Sequence, residues 1–355
     1  PGDRVMMDGI AVAWSDLESG NRSFAIAGQA PAGEPRKRLA GAGTCLEIMT
    51  GAVCPEGADT IVPVEEIEVV DGVAQLREPA AVKPGQFVHR AGSDFARGAV
   101  LVEAGCRLTA RAIAVAAGSG RTRLEVARVP RIAIVSTGDE LVDPEASPAP
   151  HQVRKSNGHA LAAMVGQAGL ADADVRHLRD DLESTASGLA DLLETCDAVV
   201  LSGGVAKGKR DHVPDALDRC GVKTVFRGVA QKPGKPFAFG TNPRGVPVFA
   251  FPGNPVSTLV CGHRYLLPAL GRMAGKNPAR LAALELGDAF AFGPPLTFFL
   301  PVETDFSAAG KRATPRPIQN SGDYASIVPT DGFLELPAER DTFRPGECFP
   351  YYPWT

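Results

Sequence analysis

Acidic and glycine-bearing turns follow apolar runs in the middle of the chain: Thr137-Gly138-Asp139-Glu140, Ser202-Gly203-Gly204 with Asp211 beyond, and Pro252-Gly253-Asn254-Pro255. A further acidic pair, Asp180-Asp181, follows the run ending at Leu178. Grouped carboxylates suit Mg²⁺, which takes one or two of them and fills its shell with water and substrate phosphate oxygens. Glycines after a strand let the backbone approach a ligand, and successive N–H groups can form an anion nest. Lys232-Pro233-Gly234-Lys235 puts two ammonium groups on a turn stiffened by proline, able to grip phosphate or another oxyanion. Pro255 fits a helix start, Asn254 can cap it, and Ser257 in the first turn can offer a hydroxyl to an anion. Each feature also has a plain reading. A single carboxylate can complement a helix dipole. The glycines can be a tight turn, the lysines can be solvated, and the Pro252–Pro255 turn can join strand to helix without chemistry. The glycine loop lacks both the P-loop and the dinucleotide-binding spacing. The histidines form no HExxH, and no GxSxG elbow occurs.

These turns need a scaffold that brings them together. From Arg131 to about Gly275 apolar runs of strand length (132–135, 174–178, 198–201, 222–226, 237–239 and 248–251) alternate with helical stretches near 158–167, 182–193 and 212–219. Such alternation predicts a parallel sheet with right-handed crossovers. The C-terminal ends of its strands would then lie along one edge, where open α/β sheets bind ligands. Asn157 is placed to cap the first helix, Pro214 fits only a first turn, and a last helix from Val256 to about Met273 should kink at Pro268. Residues 9–90 are short apolar runs between Gly and Pro, with a hairpin signal at Asp71-Gly72. Residues 108–117 are helical in composition, with Thr109 as N-cap and Gly118 as stop. From about 280 the chain returns to short β-like pieces, 297–300 and 333–336 the clearest.

The bulk numbers narrow the class. A chain of 355 residues is long for one core, and roughly two to four domains are expected. A net charge of −4 gives no electrostatic case for nucleic acid or an acidic membrane. No apolar run approaches the roughly 20 residues that span a bilayer. Seven cysteines without a CxxC pair read as scattered thiols of a cytoplasmic protein, not a disulfide framework. The chain opens with Pro1 and not Met, so a preceding segment is expected.

Taken in order, the motifs resemble the molybdopterin molybdenumtransferase family (MoeA and the gephyrin E domain). The matching strings are Met7-Asp8-Gly9-Ile10-Ala11-Val12, Ile48-Met49-Thr50-Gly51-Ala52, Arg90-Ala91-Gly92-Ser93-Asp94, Ser136-Thr137-Gly138-Asp139-Glu140-Leu141, Ser202-Gly203-Gly204-Val205 with Asp211, Lys232-Pro233-Gly234-Lys235-Pro236-Phe237 and Pro252-Gly253-Asn254-Pro255-Val256-Ser257. Ser321-Gly322-Asp323 and Thr330-Asp331-Gly332 look similar too. The sequence departs from the family at Ile10, where an aromatic is usual, at Lys155, where an acid often precedes Ser-Asn, and in the basic stretch 206–210.

The resemblance implies a multidomain α/β plus β protein: a β-rich domain over 1–95, a short helical segment over 96–128, a parallel-sheet α/β domain over 129–277 and a C-terminal β-barrel over 278–355. It implies a homodimer with a site between the α/β domain of one subunit and the β-rich domain of the other. The implied reaction inserts molybdate into adenylylated molybdopterin and releases AMP, with Mg²⁺ on the phosphates. Glu140, Asp180, Asp211 and Asp8 would be catalytic, with Asp180 and Asp211 holding the metal. Thr50, Asp94, Ser202, Gly203, Gly204, Lys232, Lys235, Pro252, Pro255 and Ser257 would bind substrate. Three rivals stand beside this: a molybdopterin adenylyltransferase, which shares the α/β domain, a non-catalytic scaffold, and an α/β binding module whose loops are only turns.

Overall fold

A computed structural model describes residues 2–78, 81–204, 212–278, 281–306 and 311–354. Asp211 and the basic stretch 206–210 lie outside the described residues. The chain divides into two compact units, Pro1–Leu101 and Val102–Thr355. The break falls inside the expected helical segment, so residues 96–101 join the β-rich unit.

The first unit contains strands β1 (Arg4–Val5), β2 (Gly9–Val12), β3 (Ser23–Ala30), β4 (Thr44–Ile48), β5 (Thr60–Pro63), β6 (Ile67–Val70), β7 (Val73–Leu76) and β8 (Val88–His89), with a short α-helix, α1 (Trp14–Glu18), and a 3-10 turn, Val64–Glu66. Six strands form a sheet in the order β5-β2-β4-β3-β7-β6, and β1 pairs with β8. The Asp71-Gly72 signal holds: β6 and β7 pair antiparallel, and the two turn residues have φ of 49° and 78°. A two-residue turn with both φ positive matches the twist of its strands. Ile10 is fully buried with Val12, Phe24 and Val62, so the aliphatic side chain fills a core position.

The second unit opens with α2 (Ala110–Gly118). Thr109 occupies the N-cap position but makes no side-chain cap bond. Gly118 lies inside the helix, and the chain turns instead at Gly120, with φ of 76°.

The α/β layer follows as β9 (Arg131–Thr137), β10 (Leu141–Val142), β11 (Val153–Arg154), α3 (Asn157–Ala168), β12 (Asp172–Leu178), α4 (Leu182–Thr195), β13 (Ala198–Ser202), α5 (Val213–Arg219), β14 (Lys223–Arg227), β15 (Gln231–Lys232), β16 (Ala238–Thr241), β17 (Pro247–Phe251), α6 (Pro255–Cys261) and α7 (Leu267–Met273). The sheet order is β12-β9-β13-β17-β16-β14. The first four strands are parallel, but β16 runs antiparallel to both neighbours. The sheet is therefore mixed, not wholly parallel. Only residues 242–246 join β16 to β17, far short of the dozen or more that a parallel crossover needs. The central strands bury both faces, as covered parallel sheets do. Ile132 and Ile134 pack with residues of α3, α6 and α7; Ala133 and Val135 pack with residues of α4 and α5. The last helix is not simply kinked at Pro268. A π-helical segment, Gly262–Leu266, separates α6 from α7, and Pro268 sits in the first turn of α7, where its missing N–H is tolerated.

The C-terminal part contains β18 (Ala282–Leu286), β19 (Phe290–Ala291), β20 (Thr297–Asp305), β21 (Arg312–Pro315), β22 (Gly332–Leu336), β23 (Thr342–Phe343) and β24 (Cys348–Pro353). The ladder β20-β21-β18-β24-β22 closes through β22 onto β20, giving a five-stranded barrel. Strand β15 adds parallel to β20. Val256 and Val260 of α6 share a core with Phe299, Phe333 and Tyr352 of the barrel. That common core joins barrel and α/β layer in one unit.

The sheet's start is pinned electrostatically. Arg128 forms a bidentate pair with Asp197 at 2.8 and 2.6 Å, and Arg131 N donates to the same carboxylate at 2.7 Å. The Arg128 guanidinium holds Asp197 at a pKa of about 2, below its ordinary 3.8. A depressed carboxylate stabilises the fold above its unfolded pKa and loses that contribution as pH falls through the folded value. The stability advantage of wild type over Asp197→Asn is thus expected to be constant above about pH 4 and to shrink towards pH 2, measured by urea unfolding at a series of pH values. An advantage unchanged down to pH 2 would remove this assignment.

Among the described residues no helix is long and apolar enough to cross a membrane. None of the seven cysteines is in a disulfide.

Candidate functional site

In the second unit, β9 lies between β12 and β13. The chain leaves β9 for β12 on one side and returns to β13 on the other. This reversal opens a crevice beyond the strand ends, the usual ligand position in open α/β sheets. Its walls are the loops after Thr137, Ser202 and Phe251. They touch: Gly203 N donates to Phe251 O at 3.2 Å. A Cβ on Gly203 would lie 3.0 Å from Thr137 O, and one on Gly253 would lie 3.6 Å from Gly203 Cα. Gly203 and Gly204 have φ of 97° and 65°, so the close approach that favours glycine is present here.

Asn157 fastens the crevice. Sequence alone reads it as a helix cap, but the N-cap position of α3 belongs to Ser156. The Asn157 amide instead donates to Ser202 Oγ and to Gly253 O, both at 2.8 Å. One side chain thus bridges two of the three loops. Asn157→Ala is expected to weaken binding of an anionic ligand in the crevice by up to about thirtyfold, since each of the two bonds is worth roughly 1 kcal/mol. Titration calorimetry with ADP checks this; unchanged affinity would show that the bridge does not shape the site.

The carboxylates separate by role. Glu140 is exposed, and its oxygens fold back to 2.6 Å from where a Gly138 Cβ would stand. Asp139 Oδ1 accepts from Asp180 N at 3.3 Å, which joins the first two acidic sets. Asp181 caps α4 by accepting from Ser184 N at 2.8 Å, and that bond lowers its pKa. It is a helix cap. Among the described residues no group of three or more His, Cys, Asp or Glu side chains is arranged to hold a metal.

Two polar groups escaped the sequence reading. His177 Nε2 lies 3.1 Å from Gly138 O, a contact between neighbouring strands that only register could reveal. Thr137 Oγ1 is buried without a hydrogen-bond partner among the described residues, a state that costs about 1–3 kcal/mol unless a ligand or water completes it. Lys155 pairs with Asp143 at 2.6 Å, and the lysine lowers the Asp143 pKa.

The Pro252–Pro255 loop meets the barrel. Asn254 stands at the N-cap of α6 without capping it; its amide donates to Ser321 Oγ at 2.6 Å. Val256 N donates to Ser321 O at 3.1 Å. The Ser321-Gly322-Asp323 motif is thereby carried to the crevice loops. Ser257 is buried in the first turn of α6. The lysine loop packs elsewhere, against Cys261 at the other end of α6. Lys232 and Lys235 are both exposed, with Lys232 Nζ 5.5 Å from the centre of the Phe292 ring.

In the first unit, Asp8 Oδ1 accepts from Thr50 N at 2.6 Å and Thr50 Oγ1 at 2.7 Å. The backbone bond leads in lowering the Asp8 pKa. Asp94 faces His89 Nε2 at 3.0 Å. These two pairs belong to turns flanking β1, which bonds to Gly51 and Ala52 on one side and pairs with β8 on the other.

Comparison with known proteins bears on all three parts of the chain. Residues 1–120 match the family described as "MoeA N-terminal region (domain I and II)". Residues 133–272 match "Probable molybdopterin binding domain". Residues 283–354 match "MoeA C-terminal region (domain IV)". A Synechocystis sp. protein called molybdopterin molybdenumtransferase is 40% identical over 356 residues, covering 100% of this chain and 89% of that protein. A Synechococcus elongatus protein of the same name is 32% identical, covering 97% and 86%. The crystal structure of a molybdopterin biosynthesis MoeA protein from Pyrococcus horikoshii is similar at 30% identity with a TM-score of 0.78, covering 100% of this chain and 88% of that one.

Proposed function

Since this chain belongs to the molybdopterin molybdenumtransferase family, we propose that it inserts molybdate into adenylylated molybdopterin and releases AMP. The observation that carries the reading is the crevice between β9 and β13, walled by three contacting loops and flanked by Glu140, Asp139 and Asp180. The dithiolene sulfurs replace oxygens of molybdate, and the departing oxygens need protons to leave as water. Glu140 is the acid available to carry them. Ser202 through its hydroxyl and Gly204 through its backbone N–H would meet a phosphate, with Gly203 holding the loop close by its bond to Phe251 O. Pro252, Pro255 and Ser257 shape the third wall, and Lys232 and Lys235 hold an oxyanion. In the first unit Asp8, held ionised by Thr50, and Asp94 act on the substrate as well.

Paired carboxylates with hard oxygen donors fit Mg²⁺, which neutralises phosphate charge when bound. Asp180, with Asp211, would hold it, and Asp139 orients Asp180 through its backbone. The protein works in the cytoplasm, where reduced thiols persist. It is a homodimer: α2 has nine residues and buries none of them, and a helix this short needs a packing partner, which a second copy supplies.

Incubation of the purified chain with adenylylated molybdopterin, molybdate and Mg²⁺ should release AMP in step with molybdenum incorporation. No AMP release would end the proposal. Formation of adenylylated molybdopterin from molybdopterin and MgATP would favour the adenylyltransferase rival.

A further inference from the structure

Gln231 opens the lysine turn, yet its side chain turns inward, leaving the residue 2% exposed. Burying an amide is costly unless its hydrogen bonds are met, and here they are. Gln231 Nε2 donates to Pro233 O at 2.9 Å and approaches Cys261 Sγ at 3.8 Å. Gln231 Oε1 accepts from Tyr265 Oη. The turn is pressed onto this amide: a Cβ on Gly234, where φ is 99°, would lie 2.6 Å from Gln231 Nε2 and 2.8 Å from Cys261 Sγ. Val229 N closes the loop by donating to Lys235 O at 2.9 Å.

Tyr265 belongs to the π-helical segment, whose extra residue per turn shifts side chains relative to a regular helix. Such segments recur at functional sites. The Tyr265 ring also packs on Phe237, with centroids 4.7 Å apart. Its neighbour Arg264 lies 5.2 Å from the Tyr265 ring centre and forms a two-point pair with Glu335 of the barrel at 3.1 and 3.3 Å. Tyr352 Oη fixes the same carboxylate at 2.6 Å. A half-buried polar chain thus runs from the barrel to the carbonyl between the two lysines.

We propose that Gln231 is a positioning residue for Lys232 and Lys235, oriented by Tyr265 and coupled through Arg264 to Glu335, so that the barrel governs the oxyanion-gripping turn. The proposal rests on the reading of those lysines as oxyanion ligands. Gln231 touches no substrate; it fixes the Pro233 carbonyl and hence the direction in which both ammonium groups leave the backbone. Both lysines are exposed, so both depend on that direction.

A double-mutant cycle separates positioning from plain stabilisation, because residues acting through one another are non-additive. Gln231→Leu and the pair Lys232→Ala/Lys235→Ala are each expected to weaken ADP binding, measured by calorimetry, and to raise the KM for adenylylated molybdopterin by about tenfold, whereas the combined variant should lose little more than the lysine pair alone. Tyr265→Phe keeps the ring and removes one hydroxyl, so it covers the case in which Gln231→Leu does not fold. It should weaken binding about threefold, and that loss should vanish in the Lys232→Ala/Lys235→Ala background. Multiplying losses, or a lower melting temperature with unchanged ADP affinity, would overturn the proposal. A wild-type chain that binds ADP but transfers no molybdenum would instead defeat the transferase reading, leaving the ADP cycle to decide the positioning role.

Discussion

Replacement of Glu140 by alanine should lower molybdenum transfer about a hundredfold or more, the range lost with a general acid or base, while leaving the melting temperature unchanged. The two halves of this expectation have separate causes. Structurally, Glu140 is exposed, and its carboxylate makes no hydrogen bond or ion pair with another described residue. Exposed side chains without partners usually change stability by less than about 0.5 kcal/mol. Functionally, its carboxylate lies over Gly138 at the mouth of the β9–β13 crevice, the position from which protons can pass to oxygens displaced from molybdate. Glu140→Gln keeps the shape and removes the proton carrier, so it should lose nearly as much activity. Steady-state AMP release, with unfolding followed by circular dichroism, decides the matter. An alanine variant of full activity would take Glu140 out of the reaction.

Gly9→Ala is the substitution expected to cost most in stability. Gly9 lies in β2, opposite Pro63 of β5 and Ile48 of β4. A Cβ there would stand 2.0 Å from Val62 O and 2.9 Å from Pro63 Cα. Both are backbone atoms in a paired strand, so no side chain can swing away. The strands must part or the sheet must break, at about 3 kcal/mol for overpacking of this kind. In a unit of roughly 100 residues this lowers the melting temperature by roughly 15 °C. Asp8 directly precedes Gly9, so its bonds to Thr50 should loosen as well. Gly118→Ala is the control: its Cβ would meet nothing within 4 Å, and alanine favours a helix. Scanning calorimetry on both variants would show the difference; equal melting temperatures would mean that β2 and β5 are not packed as described.

Much of the architecture is legible in local pattern. Asp71-Gly72 demands a primed turn because only a few residue types tolerate positive φ at both positions. Runs such as 132–135 and 198–201, apolar at every position, signal strands covered on both faces. The start of the helix at 213–219 follows from Pro214, whose ring fits only a first turn. The order of motifs along the chain identifies the family.

Other features depend on where remote segments meet. The reversal of β16 is a matter of loop length against crossover length. The closure of the barrel depends on β22 meeting β20 across residues far apart in sequence. Asn157 and Asn254 look like helix caps because capping is the local option for an asparagine. Each instead bonds a distant partner, Ser202 with Gly253 in one case and Ser321 in the other. Gln231 would pass for one more polar residue beside two lysines; its burial and its bond from Tyr265 require the π segment and barrel to arrive at the same place. Sequence by itself determines the longer strands, the Asp71-Gly72 turn, the rough extent of the helices and the family of this chain, because these follow from short-range sterics and from residue order. Tertiary structure decides which side chains face one another, because a hydrogen bond reaches only about 3 Å and its partner can lie a hundred residues away.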